Sequence, residues 1–69
     1  MERKLTYTRW EGVAAVLAEY PDGRMLGYEY VKGAWRECSA IDVFTKAGIV
    51  DKAMFKRLYG DIGLPSFPE

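Results

Sequence analysis

Apolar and polar positions alternate along the first half of the chain, and this spacing is typical of strands. Between residues 4 and 10, Leu5 and Tyr7 alternate with Thr6 and Thr8, and both threonine and tyrosine favour the half-buried surface of a sheet. Glu11-Gly12 ends this segment at a turn. In the first 38 residues we predict strands over residues 4–10, 13–20, 24–31 and 34–38.

The segment from 13 to 20 fits two patterns, because its apolar residues are also spaced as on a helix and three alanines favour helix. Pro21 disfavours the helical conformation at Tyr20. Pro21-Asp22-Gly23 is typical of a type I turn with a left-handed glycine, which joins adjacent antiparallel strands. We therefore predict a hairpin. Its expected cross-strand pairs are Tyr20 with Arg24, Ala18 with Leu26, Val16 with Tyr28 and Ala14 with Tyr30.

Lys32-Gly33 interrupts the alternation and predicts a second turn. A two-residue loop pairs Glu29 with Arg36 and Tyr30 with Trp35, and both pairs are favourable across strands. A longer loop shifts the register by one residue and moves each side chain to the other face. The sequence leaves both registers open.

After Ser39 the apolar spacing becomes helical. Ser39 and Asp51 are suitable N-caps, Gly48 is a suitable left-handed C-cap of the first helix, and Gly60 ends the second. We predict helices over 40–47 and 52–59. The first has a broad apolar face of Ala40, Ile41, Val43, Phe44 and Ala47, and the second a stripe of Met54, Phe55 and Leu58.

Prolines 65 and 68 make residues 61–69 an extended tail, which Ile62, Leu64 and Phe67 can hold against the domain. The predicted fold class is α+β, a small antiparallel sheet of three to four strands followed by two short helices that cover one sheet face. At 69 residues we expect one small globular domain over 1–69, with marginal stability.

The composition excludes several kinds of functional site. Ten basic and ten acidic residues cancel, so the chain lacks the strong field of a dedicated nucleic-acid or membrane-surface binder. The chain has no histidine and a single cysteine, Cys38, so it cannot form the usual zinc sites or nucleophile–base pairs. A single cysteine also excludes the intrachain disulfides that are typical of small secreted domains. We therefore expect a cytoplasmic protein without catalytic residues, cofactor, metal or membrane span, and not an enzyme.

The first candidate site is an aromatic cluster of Tyr20, Tyr28, Tyr30 and Trp35. Tyrosine, tryptophan and arginine are the residues favoured at the centres of protein interfaces. The same rings can equally form the core of a domain this small. We predict a protein-interaction or regulatory accessory module that binds through an aromatic sheet face or a sheet edge. The candidate partner-binding residues are Tyr20, Tyr28, Tyr30, Trp35 and Arg36.

The helix pair is the second candidate, because two short helices separated by Gly48-Ile49-Val50 resemble a helix-turn-helix. This alternative is a nucleic-acid-binding protein that uses Lys52, Lys56 and Arg57. Phe44 is large where that motif needs a small residue, and the second helix has no Asn, Gln or Ser to contact base edges.

Assembly is a third expectation. A small core, open sheet edges at 4–10 or 34–38 and a wide apolar face on the first helix all favour association with a protein partner or with a second copy.

Overall fold

The computed structural model describes residues 3–67, so the predictions for the chain ends at 1–2 and 68–69 lie outside the described residues. Within that range the chain forms an antiparallel sheet and two short helices, which confirms the α+β class. The strands are β1 (Lys4–Trp10), β2 (Val13–Glu19), β3 (Met25–Val31), β4 (Ala34–Cys38) and β5 (Gly48–Ile49), and the helices are α1 (Ala40–Lys46) and α2 (Lys52–Tyr59).

The hairpin of β2 and β3 is the one that the sequence predicts. The Tyr20 amide donates to the Arg24 carbonyl at 2.8 Å, and Gly23 has a φ of 96°, in the left-handed region. Asp22 Oδ1 accepts a hydrogen bond from the Arg24 amide at 3.0 Å and holds the turn. The strand interpretation of 13–20 is therefore correct. Val16 pairs with Tyr28 and Ala18 with Leu26, as expected.

The hairpin of β3 and β4 has a two-residue loop. Lys32 and Gly33 have φ angles of 54° and 80°, the conformation of a tight hairpin turn. This settles the register that the sequence leaves open. Glu29 pairs with Arg36 and Tyr30 with Trp35.

A fifth strand, β5, was not predicted. It pairs with the outer edge of β1 through Thr8–Ile49 and Arg9–Gly48, giving the strand order β4-β3-β2-β1-β5. Gly48 is therefore not the left-handed end of the first helix, which ends at Lys46 and has Ala47, with a φ of −80°, as its C-cap. A two-residue strand is too short to produce an alternating pattern, so only its partner β1 identifies it.

The two helices lie on opposite faces of the sheet, whereas the sequence analysis expected both on one face. Val43 of α1 packs on Ala15 and Leu17, and Phe55 of α2 packs on Ala14 and Val16. Successive residues of β2 point to opposite faces, so the two sets belong to different faces. Between the helices the chain follows the β1 edge as β5 and then passes round that edge.

The N-caps of both helices and the extended tail are as the sequence predicts. Ser39 Oγ accepts from the Asp42 amide at 3.3 Å, and Asp51 Oδ1 accepts from the Met54 amide at 2.7 Å. The described part of the tail is extended, and its Phe67 packs in the same cluster as α2. The sheet thus has α1 on one face, and α2 with the tail on the other.

Candidate functional site

The predicted aromatic cluster is largely covered. Tyr28 is only 7% exposed, and the edge of its ring meets Phe67 with the centroids 5.3 Å apart. On the same face Tyr7 of β1 contacts Phe55 of α2, with the centroids 5.1 Å apart. Burial raises the pKa of the Tyr28 hydroxyl, which agrees with an apolar environment. Tyr28 is therefore a core residue of the domain.

Of the other predicted partner-binding residues, Tyr30 and Trp35 share the sheet face of Tyr28 and Arg36 does not. Tyr30 and Trp35 are half-buried and pack against each other at 5.3 Å, at the β4 side of this face. Arg36 lies on the opposite face, where its Nε donates to Glu29 Oε2 at 2.9 Å, because neighbouring strand residues alternate.

Tyr20 lies at the end of the β2–β3 hairpin, apart from the centre of the sheet. It is half-buried, and the Arg24 guanidinium stacks over its ring at 4.7 Å from the centroid. Arg24 also bonds to Asp22 within the turn, at 2.8 Å. The backbone hydrogen bond from Arg24 lowers the pKa of the Asp22 carboxyl. The ring and its arginine thus belong to the structure of the turn.

The residues of the nucleic-acid alternative lie on α2, and Lys52, Lys56 and Arg57 are all exposed. Lys52 and Lys56 are one turn apart at the rim of a cavity of about 190 Å³, and Asp61 lines the same cavity with the opposite charge. Because α1 and α2 lie on opposite sheet faces, they do not form the packed pair of a helix-turn-helix.

A groove on the α1 side of the sheet was not predicted. We call it the α1–β5 groove, and its volume is about 210 Å³. Phe44 of α1 and Ile49 of β5 are its exposed apolar walls, at 65% and 78% exposure. Ile41, three residues before Phe44 and therefore on the same side of α1, is 71% exposed. The groove is lined by Lys4, Thr6, Thr8, Leu17, Glu19, Phe44 and Ile49.

The groove exists because α1 is short and lies close to β3. With seven residues α1 is about 10 Å long and cannot cover the whole face. Gly27 allows the start of α1 to approach the sheet, since a Cβ on Gly27 would lie 3.0 Å from Ala40 Cα. Val43 is the buried residue of α1 and Ala40 and Ala47 pack beside it, whereas Ile41 and Phe44 stay exposed. The sequence identifies this broad apolar face but not where it lies.

Cys38, at the end of β4, is half-buried and contacts the cluster around Val43. Burial raises the pKa of its thiol to about 11, and the nearby Glu29 carboxylate acts in the same direction. At neutral pH the sulfur is therefore the protonated thiol, which is a weak nucleophile and a weak metal ligand.

In residues 3–67 the acidic and cysteine side chains form no group of three able to hold a metal ion. No helix in the same range is long and apolar enough to cross a membrane. Comparison of the chain with protein-family models, with curated proteins and with solved structures gives no match.

Proposed function

We propose that this protein is a non-catalytic interaction module that binds another protein chain through the α1–β5 groove. The observation that carries the proposal is the exposure of Phe44 and Ile49, which line one groove, and of Ile41, which lies on the same side of α1 as Phe44; each is about two-thirds exposed or more. Contiguous apolar surface of this kind on a small protein marks interaction sites.

The energetics support this surface as a binding site. Full burial of one large apolar side chain contributes roughly 1.5–3 kcal/mol. Three such side chains next to a half-polar floor of Thr6, Thr8 and Leu17 therefore offer several kcal/mol to a partner that covers them. Polar and charged groups at the rim, Lys4 and Glu19, suit the usual pattern of an apolar centre with a polar border.

The geometry favours this groove over the aromatic cluster. A partner that bound the centre of that cluster would have to displace the tail from Tyr28, which is 7% exposed and in contact with Phe67. Phe44 and Ile49 need no rearrangement to be reached. A sheet edge remains part of the proposal, because β5 pairs only with the Thr8 and Arg9 end of β1 and leaves the Lys4 end of that edge beside the groove.

A binding role also agrees with the chemistry of the chain. With no histidine and a protonated Cys38 thiol, the usual nucleophile–base pairs cannot be assembled. We also propose a cytoplasmic location, because a small domain with one free cysteine is typical of a reducing compartment.

Site-specific photo-cross-linking in the native cells tests the proposal. A photoreactive amino acid replaces Phe44 of the full chain, and the expected result is an adduct to another polypeptide that depends on irradiation. A second change in the same chain, Ile49→Glu, should abolish that adduct because it places a charge in the apolar wall.

The matched control carries the photoreactive residue at Leu58, which is 44% exposed on α2 and faces away from the groove. An adduct at position 44 and none at 58 supports the proposal. If position 44 gives no adduct, or if both positions give the same adducts regardless of Ile49→Glu, the groove is not the binding surface.

A further inference from the structure

The α1–β5 groove combines apolar walls with one charge of each sign. Lys4 and Glu19 are paired residues at the same end of β1 and β2, and both line the groove. Within residues 3–67 the two side chains do not form an ion pair with each other, although three other ion pairs are present there. Both charges can therefore pair with groups from another chain.

This combination is self-complementary. In a two-fold symmetric dimer, residue i of one copy contacts residue j of the other, and j contacts i in return. A copy rotated by 180° over the groove can thus place its Glu19 near Lys4 and its Lys4 near Glu19, with Phe44 and Ile49 of both copies at the centre. We propose that the occupant of the α1–β5 groove is a second copy of this chain, an inference that rests on the proposed function.

Net charge supports a second copy over a partner of strongly acidic or basic character. The chain has ten basic and ten acidic residues, so two copies do not repel each other at long range. The groove itself carries one lysine and one glutamate, and it offers no net attraction to a highly charged partner.

The exposed apolar area is adequate for a dimer of moderate affinity. Phe44 can bury roughly 150–250 Å² and each isoleucine somewhat less, so the exposed fractions of Ile41, Phe44 and Ile49 leave roughly 300 Å² of apolar surface. A standard interface takes about 800 Å² from each partner, and slightly more than half of that is apolar. The three side chains therefore supply most of the apolar part, and the groove floor and charged rim supply the remainder. Dimerisation would also stabilise a domain with a small core by mass action.

Sedimentation equilibrium of the purified full chain, from about 1 μM to about 1 mM, tests this inference. We expect a reversible monomer–dimer equilibrium for the natural sequence. Phe44→Glu should give a monomer throughout this range without loss of helix or sheet signal in circular dichroism, because Phe44 is exposed in the monomer. The matched control Leu58→Glu, on α2, should dimerise like the natural chain.

Exchanging the charges at Lys4 and Glu19 distinguishes the proposed ion pairs between copies from non-specific association of apolar surfaces. Lys4→Glu and Glu19→Lys should each weaken self-association, on the order of tenfold, since the two-fold axis converts two ion pairs into repulsive contacts at once. The first variant presents two acidic groups at the groove rim and the second presents two basic groups, so each repels its own copies and attracts the other variant. A mixture of the two should therefore form a one-to-one heterodimer more tightly than either variant forms a homodimer.

The outcomes separate the two proposals. A chain that stays monomeric up to about 1 mM, or a dimer that persists in Phe44→Glu, overturns the self-association. If the monomeric chain still gives an adduct to a different polypeptide at position 44, the interaction function stands and only the identity of the partner is wrong. If neither self-association nor an adduct is found, both proposals fail.

Discussion

Gly27 lies on β3 where the chain passes beneath the first turn of α1, and it is buried. A methyl group at this position would lie 3.0 Å from Ala40 Cα, 3.2 Å from the Ala40 nitrogen and 3.2 Å from the Ser39 carbonyl oxygen. All three atoms belong to the backbone, so no side-chain rotation relieves the contact. Gly27→Ala should therefore push the start of α1 away from the sheet.

Two opposing effects determine how much Gly27→Ala changes the free energy of unfolding. Overpacking a tight core position costs roughly 1–3 kcal/mol. Replacing glycine in a strand by alanine returns roughly 0.5–1 kcal/mol, because glycine loses more conformational entropy on folding. The net expectation is a loss of about 1 kcal/mol in the free energy of unfolding, which for a domain of this size lowers the Tm by roughly 4–8 °C.

Thermal and urea unfolding followed by tryptophan fluorescence measure this loss. The matched control is Gly48→Ala, also a strand glycine without positive φ, whose added methyl would find only the Arg9 carbonyl oxygen at 3.8 Å. That variant should be as stable as the natural chain or slightly more so. A Gly27→Ala protein with an unchanged or higher Tm would refute the close approach of α1 to β3. So would unchanged amide chemical shifts across residues 39–47.

Three other expectations concern the aromatic core, the thiol and the nucleic-acid alternative. Tyr28→Ala should lower the free energy of unfolding by about 3 kcal/mol or more in urea titrations, and a variant that stayed stable but lost a partner would restore the aromatic cluster as a binding surface. Cys38 should be alkylated by iodoacetamide slowly at pH 8 in the folded protein and faster in urea. Its pKa rises from 9.0 to about 11 on folding because the folded protein favours the protonated thiol. The stability that the buried thiol contributes is therefore present below about pH 9 and lost towards pH 11. Equal alkylation rates in the folded and urea-unfolded protein at pH 8 would contradict the burial of Cys38. The nucleic-acid alternative requires salt-dependent binding to duplex DNA that weakens when Lys52 and Lys56 are both changed to alanine. We expect no binding in low-salt fluorescence anisotropy, and a salt-dependent signal lost in the double variant would favour the alternative.

Local chemistry made much of the fold predictable from the sequence. Pro21-Asp22-Gly23 determines a turn within four residues, and its strength outweighs the helical spacing of residues 13–20. Ser39 and Asp51 cap the helices through hydrogen bonds that span only three residues. Such signals involve neighbouring residues alone, so they are visible without knowledge of the tertiary structure.

The candidate site was less predictable, because burial depends on which elements cover a face. The sequence identified the apolar face of α1 and the tyrosines of β3, but both were compatible with core and with binding surface. The path of the chain along β1 as β5 sends α2 to the face opposite α1 and buries Tyr28 under the tail.

The turn at Pro21-Asp22-Gly23, the helix caps and the α+β class follow from the sequence, since each depends on local spacing and turn chemistry, whereas the strand register after Lys32-Gly33 does not. The placement of α1 and α2 on opposite faces of the sheet is known only from the tertiary structure. Because of this placement, one seven-residue helix has to cover a whole face. Because such a helix is about 10 Å long, Phe44 and Ile49 stay exposed around the α1–β5 groove.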